Sequence, residues 1–454
     1  MGTEGAIRRF TLENGLRVVV AEDRSAPVVA ISVNYDIGLR TEREGRSGFA
    51  HLFEHIMFRG SANVPDGDFS RLTSRYGGGG NASTNLDQTN YTTTLPTNAL
   101  ELGLFVESDR MGWPALSEEA HRGECEVVKE ETRLRFLNKP KTEPIGGWWL
   151  DMRALAFDGY PNAHDGTGSF QEIEASSAVE TSEFFESYYT PGNAVLSIVG
   201  DPGDADVEAL VEKWFGVIPA RPTAPIPSVS EPPLTSERRQ VLVDRLTPSP
   251  MLAVGWRTPD PVADMASHAA AIVLAEVLTG GEDGLLVRRL VSKEQLATSV
   301  GGFVEFFGLQ FLARDPLLLT VTVHHDGAEP DAVLAAIDDE LVSLGTELDA
   351  EVFARARTTV LTRWLQNIDE IGMRSIWVAG LELIWGRAEL LHEIADLYRS
   401  VTLDDVVRVA REYLTPNTRA VLDIQPDHGR AGVGAPAPAE AGLGRPAGND
   451  GGAK

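Results

Sequence analysis

Two kinds of hydrophobic pattern run along the chain, and together they predict a sheet covered by helices. Two nearly continuous apolar stretches, 26–38 (APVVAISVNYDIG) and 194–201 (AVLSIVGD), predict central β-strands. Shorter β-branched runs such as 17–23 (RVVVAED) predict further strands, and the amphipathic stretches 99–112 and 179–189 predict helices. These elements predict an α+β fold in which a mostly antiparallel sheet has helices packed on one side.

A repeat divides the chain into two similar halves. The sequence YYTPGNAVLSIVGD begins at Tyr188, and YLTPNTRAVLDIQPD begins at Tyr413. Each copy follows an amphipathic stretch and leads through Thr-Pro into an apolar strand, so we expect two homologous halves of one fold. We expect the following segments: a first domain at 1–219, a Pro/Ser-rich linker at 220–239, a second domain at 240–428 and a disordered Ala/Gly/Pro-rich tail at 429–454.

Charge and cysteine content narrow the classes of function. The 454 residues carry a formal net charge of -27, from 67 acidic and 40 basic side chains. Nucleic acids and anionic membranes attract positive surfaces, so we expect the chain to bind neither. The sequence shows no export-type leader and no apolar run of membrane-spanning length, and its single cysteine, Cys125, fits a reducing compartment. These features predict a cytoplasmic protein.

The stretch GFAHLFEHIMFRG, residues 48–60, places two histidines and a glutamate within an apolar segment. On a helix His51 and His55 stand at i and i+4 and share one face, with Cβ atoms about 5–6 Å apart, so both imidazoles can bind one metal ion. Glu54 lies beside the same face. The alternative is a helix whose histidines are satisfied by carboxylates or backbone, but burying three such groups without a ligand is costly.

A metal site of this kind needs a third protein ligand. Zinc bound by two histidines usually takes a carboxylate as well, and a catalytic site leaves the fourth position to water. In the stretch 121–135 (HRGECEVVKEETRLR), Glu124 and Glu131 are separated by two helical turns and therefore face the same way. This segment offers the missing carboxylate.

The motif HLFEH at 51–55, followed about 75 residues later by ECEVVKEE, resembles the inverted zinc motif of the insulinase and pitrilysin family, in the branch that includes mitochondrial processing peptidase. Other similar stretches are NASTNLDQTNY, ESDRM and YYTPGNAVLSIVGD. The resemblance implies a zinc metalloendopeptidase that binds one Zn²⁺ per chain. It implies these roles: zinc ligands His51, His55 and Glu131, general base Glu54, and Glu124 as a carboxylate that orients a ligand.

The resemblance also implies a binding site for the substrate. In the family, a peptide adds as a further strand to an exposed edge strand beside the metal and is recognised through its backbone. The matching residues here are Asn81, Ala82, Ser83 and Thr84. A flexible loop that leads into a solvated, threonine-rich strand is the alternative for this segment.

The second half keeps the scaffold and lacks the metal ligands. By the repeat, Val273 and Val277 stand roughly where the two motif histidines stand in the first half. Family members use an arginine and a tyrosine of the second half to hold the substrate. When the chain is aligned on residues 294–296 (EQL), those two places are occupied by Val291 and Thr298.

This pattern of presence and loss implies a partner. A chain with the zinc motif and without the arginine and tyrosine resembles the catalytic subunit of the two-chain members. We therefore expect a heterodimer of two bowl-like chains, in which a homologous subunit supplies the Arg/Tyr pair and the chamber admits peptides or unfolded segments for processing or leader-peptide-type cleavage. The alternative is a non-catalytic structural or peptide-binding subunit of a larger complex.

Overall fold

Two β-sheets organise the fold of the computed structural model, which describes residues 7–144, 146–306 and 309–427. The strands are β1 (Ile7–Thr11), β2 (Arg17–Glu22), β3 (Val28–Tyr35), β4 (Gly79–Thr84), β5 (Thr89–Pro96), β6 (Ala194–Gly200), β7 (Arg238–Asp244), β8 (Met251–Arg257), β9 (Ser299–Val304), β10 (Leu318–His324) and β11 (Arg419–Pro426). The first sheet has the order β1-β2-β6-β3-β5-β4, and the second has the order β7-β11-β8-β10-β9.

Fifteen α-helices accompany these strands in the described residues. Nine precede the second sheet: α1 (Phe49–Ile56), α2 (Asp68–Arg75), α3 (Leu100–Gly112), α4 (Glu118–Thr132), α5 (Trp148–Ala156), α6 (Tyr160–Ala163), α7 (Phe170–Ala175), α8 (Ala178–Tyr188) and α9 (Val207–Phe215). Six lie between β8 and β11 along the chain: α10 (Met265–Thr279), α11 (Pro330–Glu347), α12 (Ala350–Asp369), α13 (Ile371–Trp385), α14 (Leu390–Ser400) and α15 (Leu403–Tyr413). A π-helical turn at Arg133–Leu137 continues α4, and another at Val287–Lys293 precedes β9.

The two sheets share one strand pattern. Every pair in the first sheet is antiparallel except β2 with β6, and every pair in the second is antiparallel except β7 with β11. The strands of the two repeat copies, β6 and β11, therefore occupy equivalent places. The predicted α+β class with two similar, mostly antiparallel halves is confirmed, and the two continuous apolar stretches form the central strands β3 and β6.

Helices of the first half cover one face of the first sheet, as the amphipathic patterns predict. Alternate residues of β3, such as Ile31 and Val33, point into a core that includes Leu104 of α3, Phe185 of α8 and Val211 of α9. These side chains are at most 5% exposed. Removal of this apolar surface from water is the main favourable contribution to folding of this layer.

The opposite face of each sheet is covered by a helix from the other half, which the sequence did not predict. Helix α13 of the second half packs on β3, β5 and β6. In that contact the amide of Asn34 donates to the carbonyl of Ile376 at 3.2 Å, and the hydroxyl of Ser197 donates to the carbonyl of Ser375 at 2.7 Å. This second cover explains why β3 and β6 are buried on both faces and have nearly continuous apolar sequences.

The reciprocal contact is made by α5, which belongs to the first half in sequence. It packs on β7, β8 and β11 of the second sheet. Trp148, Trp149 and Met152 of α5 lie in one buried cluster with Ala253 of β8 and Leu422 of β11. Each half thus completes the core of the other, so the two sheets are joined by two exchanged helices as well as by the linker.

The connection between the halves has no regular secondary structure. Residues 216–237, all of which are described, form no helix or strand, and β7 begins at Arg238, within the last two residues of the predicted 220–239 segment. The predicted tail at 429–454 lies outside the described residues. Across the part of the chain that the structure describes, no helix is both long and apolar enough to cross a lipid bilayer.

The exchanged helices generate a stability prediction. Met152→Ala removes a side chain that is 1% exposed and packs against the second sheet. We expect the free energy of unfolding to fall by about 2–5 kcal/mol, the usual cost of such a cavity. We also expect a single urea transition by circular dichroism and by tryptophan fluorescence, because α5 joins the two cores. Leu134→Ala, at a side chain that is 58% exposed, is the control; two separate transitions in the wild type would contradict the coupling.

Candidate metal centre

The helix α1 is fixed by its apolar side chains. Phe49, Leu52, Phe53 and Ile56 are each at most 5% exposed, because 3.6 residues per turn place them on the inner side of the helix. The imidazoles of His51 and His55 lie on the remaining side and keep 22% and 24% of their surface exposed. The predicted helix with both histidines on one face is therefore present.

Contact with α4 brings the carboxylates to the histidines. The hydroxyl of Ser117 accepts the N–H of Ala120 at 3.1 Å and caps the start of α4. Along this helix Cys125 and Val128 pack against Leu52 and Ile56 of α1 in a small buried cluster. Glu124 and Glu131 flank those apolar residues and so face the two histidines, as their spacing predicts.

Three possible ligand atoms converge between the two helices. Nε2 of His51 and Nε2 of His55 are 3.2 Å apart, and Oε2 of Glu131 lies 3.5 Å and 3.1 Å from them. Around a tetrahedral Zn²⁺ with bonds of about 2.0–2.1 Å, neighbouring ligand atoms lie about 3.3 Å apart. Within residues 7–144, 146–306 and 309–427, this is the one group of three such side chains close enough to share an ion.

The donor set fits zinc in its chemistry as well. Two imidazole nitrogens and one carboxylate oxygen are ligands that Zn²⁺ prefers, and three protein ligands leave a position for water. Oε2 of Glu131 is buried and accepts no well-directed hydrogen bond from the described protein groups. A buried oxygen in that state is costly unless a ligand satisfies it, so the residues present fit a zinc ion.

The pKa values of the two histidines shift in opposite directions. Burial and the neighbouring His55 lower the pKa of His51 to about 4. Burial also disfavours the charged form of His55, but the carboxylates of Glu124 and Glu131 prevail and raise its pKa to about 9. The close imidazoles of His55 and His51 lower the pKa of Glu131 to about 2. Because a histidine binds metal as the neutral imidazole, protons and a metal ion compete for these nitrogens.

Glu124 contacts the opposite side of His55. Its Oε2 lies 3.3 Å from Nδ1 of His55, while Nε of Arg59 donates to Oε1. Burial would raise the pKa of Glu124, but the hydrogen bonds of His55 and Arg59 lower it. A carboxylate on Nδ1 fixes the tautomer and the ring orientation of a histidine that binds metal through Nε2.

Glu54 lies beside the cluster and is oriented from the first sheet. The hydroxyl of Thr84, at the end of β4, donates to Oε2 of Glu54 at 2.6 Å. The hydroxyl of Thr89 of β5 donates to the carbonyl of Ile37 at 2.9 Å and lies 3.3 Å from the hydroxyl of Thr84. Burial raises the pKa of Glu54 although the Thr84 hydroxyl opposes this shift. A raised pKa makes the carboxylate of Glu54 a stronger proton acceptor than an exposed glutamate.

The strand β4 forms the edge of the first sheet and contacts α1. It contains all four residues predicted to bind the substrate. Asn81 is exposed, Ala82 packs into the core, and the hydroxyl of Ser83 accepts the amide of Asn90 at 2.7 Å. Since β4 pairs only with β5 among the described strands, its outer edge can accept another strand.

The equivalent helix of the second half, α10, is closed. Val273 and Val277 are completely buried, in agreement with the absence of metal ligands at these positions. Val291 lies in the second π-helical turn and Thr298 is exposed, with its hydroxyl donating to the carbonyl of His324. The predicted places of the arginine and tyrosine are therefore structured and carry neither side chain.

Sequence reasoning missed three partners of the site. Arg59 was not singled out, although its position four residues after His55 places it on the same helical face. Arg135, whose guanidinium lies 2.8 Å from Oε1 of Glu131, follows that glutamate at the same spacing. The hydroxyl contact of Thr84 with Glu54 spans 30 residues and left no local signal.

Comparison with known proteins agrees with this geometry. The family model described as "Insulinase (Peptidase family M16)" matches residues 17–138, which include the HLFEH motif and Glu131. The model described as "Peptidase M16 inactive domain" matches residues 180–360, which include the closed helix α10. The inactive label thus falls on the part of the chain that has no metal ligands.

Individual relatives extend over nearly the whole chain. The chain is 27% identical to zinc protease PqqE of Helicobacter pylori over 92% of each chain. It is 24% identical to the probable mitochondrial-processing peptidase subunit beta of Arabidopsis thaliana, over 92% of this chain and 78% of that protein. The crystal structure of a protease from Helicobacter pylori shares the fold, with a TM-score of 0.83, 24% identity and coverage of 93% of this chain and 100% of that one. Because two models of one family together match more than half of its residues, the chain belongs to the insulinase family, peptidase family M16.

Proposed function

We propose that this chain is a zinc metalloendopeptidase that cleaves peptides or unfolded segments, and that it is the catalytic subunit of a two-chain enzyme of the processing-peptidase type. The observation that carries the proposal is the convergence of His51, His55 and Glu131 at ligand spacing with Glu54 beside them. The similarity to zinc protease PqqE over nearly the full length supports the choice of metal. One Zn²⁺ would be held by those three side chains.

A zinc ion held by His51, His55 and Glu131 would supply a water of lowered pKa and would polarise the carbonyl of the scissile bond. Glu54 accepts the proton of the attacking water and passes it to the leaving amine, because its carboxylate is buried beside the ligand cluster. Thr84 fixes the carboxylate of Glu54 for that transfer. Glu124 holds the ring of His55, and Arg135 pairs with the second oxygen of Glu131.

The substrate peptide binds along the edge strand β4. Its backbone pairs with the free edge at Asn81, Ala82 and Ser83, which places the scissile bond next to α1 because β4 contacts that helix. Recognition through the backbone requires an extended segment, so folded proteins are poor substrates. Thr84 contributes its backbone to the same strand and its hydroxyl to Glu54.

A homologous subunit completes the substrate site. Val291 and Thr298 cannot make the contacts of an arginine and a tyrosine, so a second chain supplies them across a shared chamber. The similarity to a peptidase described as a subunit supports this arrangement. We propose that the pair is cytoplasmic, because a single cysteine, Cys125, suits a reducing compartment.

The role of Glu54 is tested by Glu54→Gln. We expect the zinc content, measured by atomic absorption, to stay at one ion per chain, because Glu54 is not among the three ligand residues. We expect kcat on unstructured peptides to fall by about 10²–10⁴-fold, the usual contribution of general acid–base catalysis. Glu130→Gln, on the exposed side of α4, is the matched control. Unchanged turnover in Glu54→Gln would reject the assignment, and zinc binding without turnover in the wild type and its partner would favour a non-catalytic subunit.

The hydroxyl of Thr84 is tested by comparing Thr84→Val with Thr84→Ser. Valine keeps the shape and removes the donor, so we expect kcat to fall by about tenfold or more while KM and zinc content stay unchanged. Serine keeps the donor and should retain most of the activity. A rise in KM with constant kcat would instead assign Thr84 to substrate binding alone.

The need for a partner is tested with a pool of unstructured peptides. We expect cleavage when the zinc-loaded chain is mixed with a homologous chain that contains the arginine and tyrosine, and little cleavage by either chain alone, because each has only part of the site. The mixture with Glu54→Gln is the control. Full activity of this chain by itself would contradict the two-chain arrangement.

A further inference from the structure

The first turn of α1 is capped by a carboxylate from outside the helix. The residue at the helix start is Gly48, which has no side chain to accept the free N–H groups of the first turn. Glu42 replaces it. Its Oε2 accepts the N–H of Gly48 at 2.9 Å, and its Oε1 accepts the N–H of Ala50 at 2.8 Å. A negative group there also interacts favourably with the helix dipole.

The carboxylate of Glu42 is itself fixed by a buried histidine. Nε2 of His164 lies 2.9 Å from Oε2 of Glu42, and Nδ1 lies 2.7 Å from the carbonyl oxygen of Tyr160. The side chains of Glu42 and His164 are 0% and 5% exposed. Since a carbonyl oxygen only accepts, Nδ1 carries a proton, and the contact between Nε2 and the carboxylate is a hydrogen bond when a second proton lies on either atom.

Tyr160 closes this arrangement. Its ring stacks on the imidazole of His164 with centroids 4.3 Å apart and planes within 9°. Its hydroxyl donates to the carbonyl of Arg43, the residue after Glu42, at 3.0 Å. The histidine therefore has one orientation, and the carboxylate that it contacts is held from both sides.

This contact leads directly to the metal centre. Ala50, whose N–H is bound by Glu42, immediately precedes His51, and His55 follows one turn later. Helix α1 has only eight residues, so a displacement of its first turn moves both imidazoles relative to Glu131 on α4. Metal and catalytic groups tolerate displacements of only about 0.5 Å.

We infer that Glu42 and His164 are positioning residues of the metal centre, which set the place of both histidines by fixing the first turn of α1. The inference rests on the proposed zinc site and extends it to a pair that contacts none of the three ligand side chains. The two residues are separated by 122 positions in the sequence.

The test compares two variants with two matched controls. Glu42→Gln keeps the shape of the side chain but offers one acceptor oxygen in place of two. His164→Gln leaves the Glu42 carboxylate, which caps the helix, without its imidazole partner. Glu172→Gln is the carboxylate control, because Glu172 accepts the N–H of Ser47 just before the helix. His268→Gln is the histidine control, because His268 is buried between two backbone carbonyls in the second half.

Zinc affinity is measured by competition with a chromophoric chelator, and kcat and KM are measured at saturating zinc. We expect Glu42→Gln and His164→Gln to weaken zinc binding by about tenfold or more and to lower kcat at unchanged KM. The two controls should match the wild type. If Glu42→Gln fails to fold, His164→Gln decides.

If Glu42→Gln and His164→Gln fold and bind zinc with wild-type affinity, the inference is overturned. A wild type that binds zinc but cleaves no peptide with its partner would overturn only the proposed peptidase activity. The zinc affinities of the two variants would still decide whether Glu42 and His164 position the metal centre. A wild type that binds no zinc would overturn both.

Discussion

The candidate site depends on one contact, the apolar packing of α1 against α4. Leu52 and Ile56 on one helix meet Cys125 and Val128 on the other, and all four are at most 7% exposed. Because side chains along a helix have fixed angular spacing, packing of these apolar faces makes the histidines of α1 face the glutamates of α4. The ligand geometry is thus set by the hydrophobic effect, and the polar residues around it make the final adjustment.

The parts of the site that the sequence predicted are those set within a single helix. The pair His51 and His55 follows from i,i+4 spacing, and the alignment of Glu124 with Glu131 follows from two helical turns. Selection of Glu131 as the third ligand came from the resemblance, since spacing alone treats both glutamates alike. The fold class was accessible for a similar reason, because strands and amphipathic helices have characteristic periods that survive in a short window of sequence.

What the sequence did not predict are contacts between distant segments. The hydroxyl of Thr84 reaches Glu54 across 30 residues, and His164 reaches Glu42 across 122. The exchange of α5 and α13 between the halves belongs to the same class, because an apolar helix face does not indicate which sheet will cover it. The continuous apolar sequences of β3 and β6 indicated the exchange indirectly, because they require burial on both faces.

The two halves show how one scaffold gives an open site in one place and a closed core in the other. Helix α1 has α4 on one side and leaves its histidines about one quarter exposed. The equivalent helix α10 is surrounded by α12, α14 and α15, and its Val273 and Val277 are completely buried. A buried imidazole without a partner would destabilise the fold at those two positions, whereas burial of a valine side chain stabilises it. The absence of metal ligands on α10 and the burial of that helix therefore go together, because the second half has no site at this position to keep accessible.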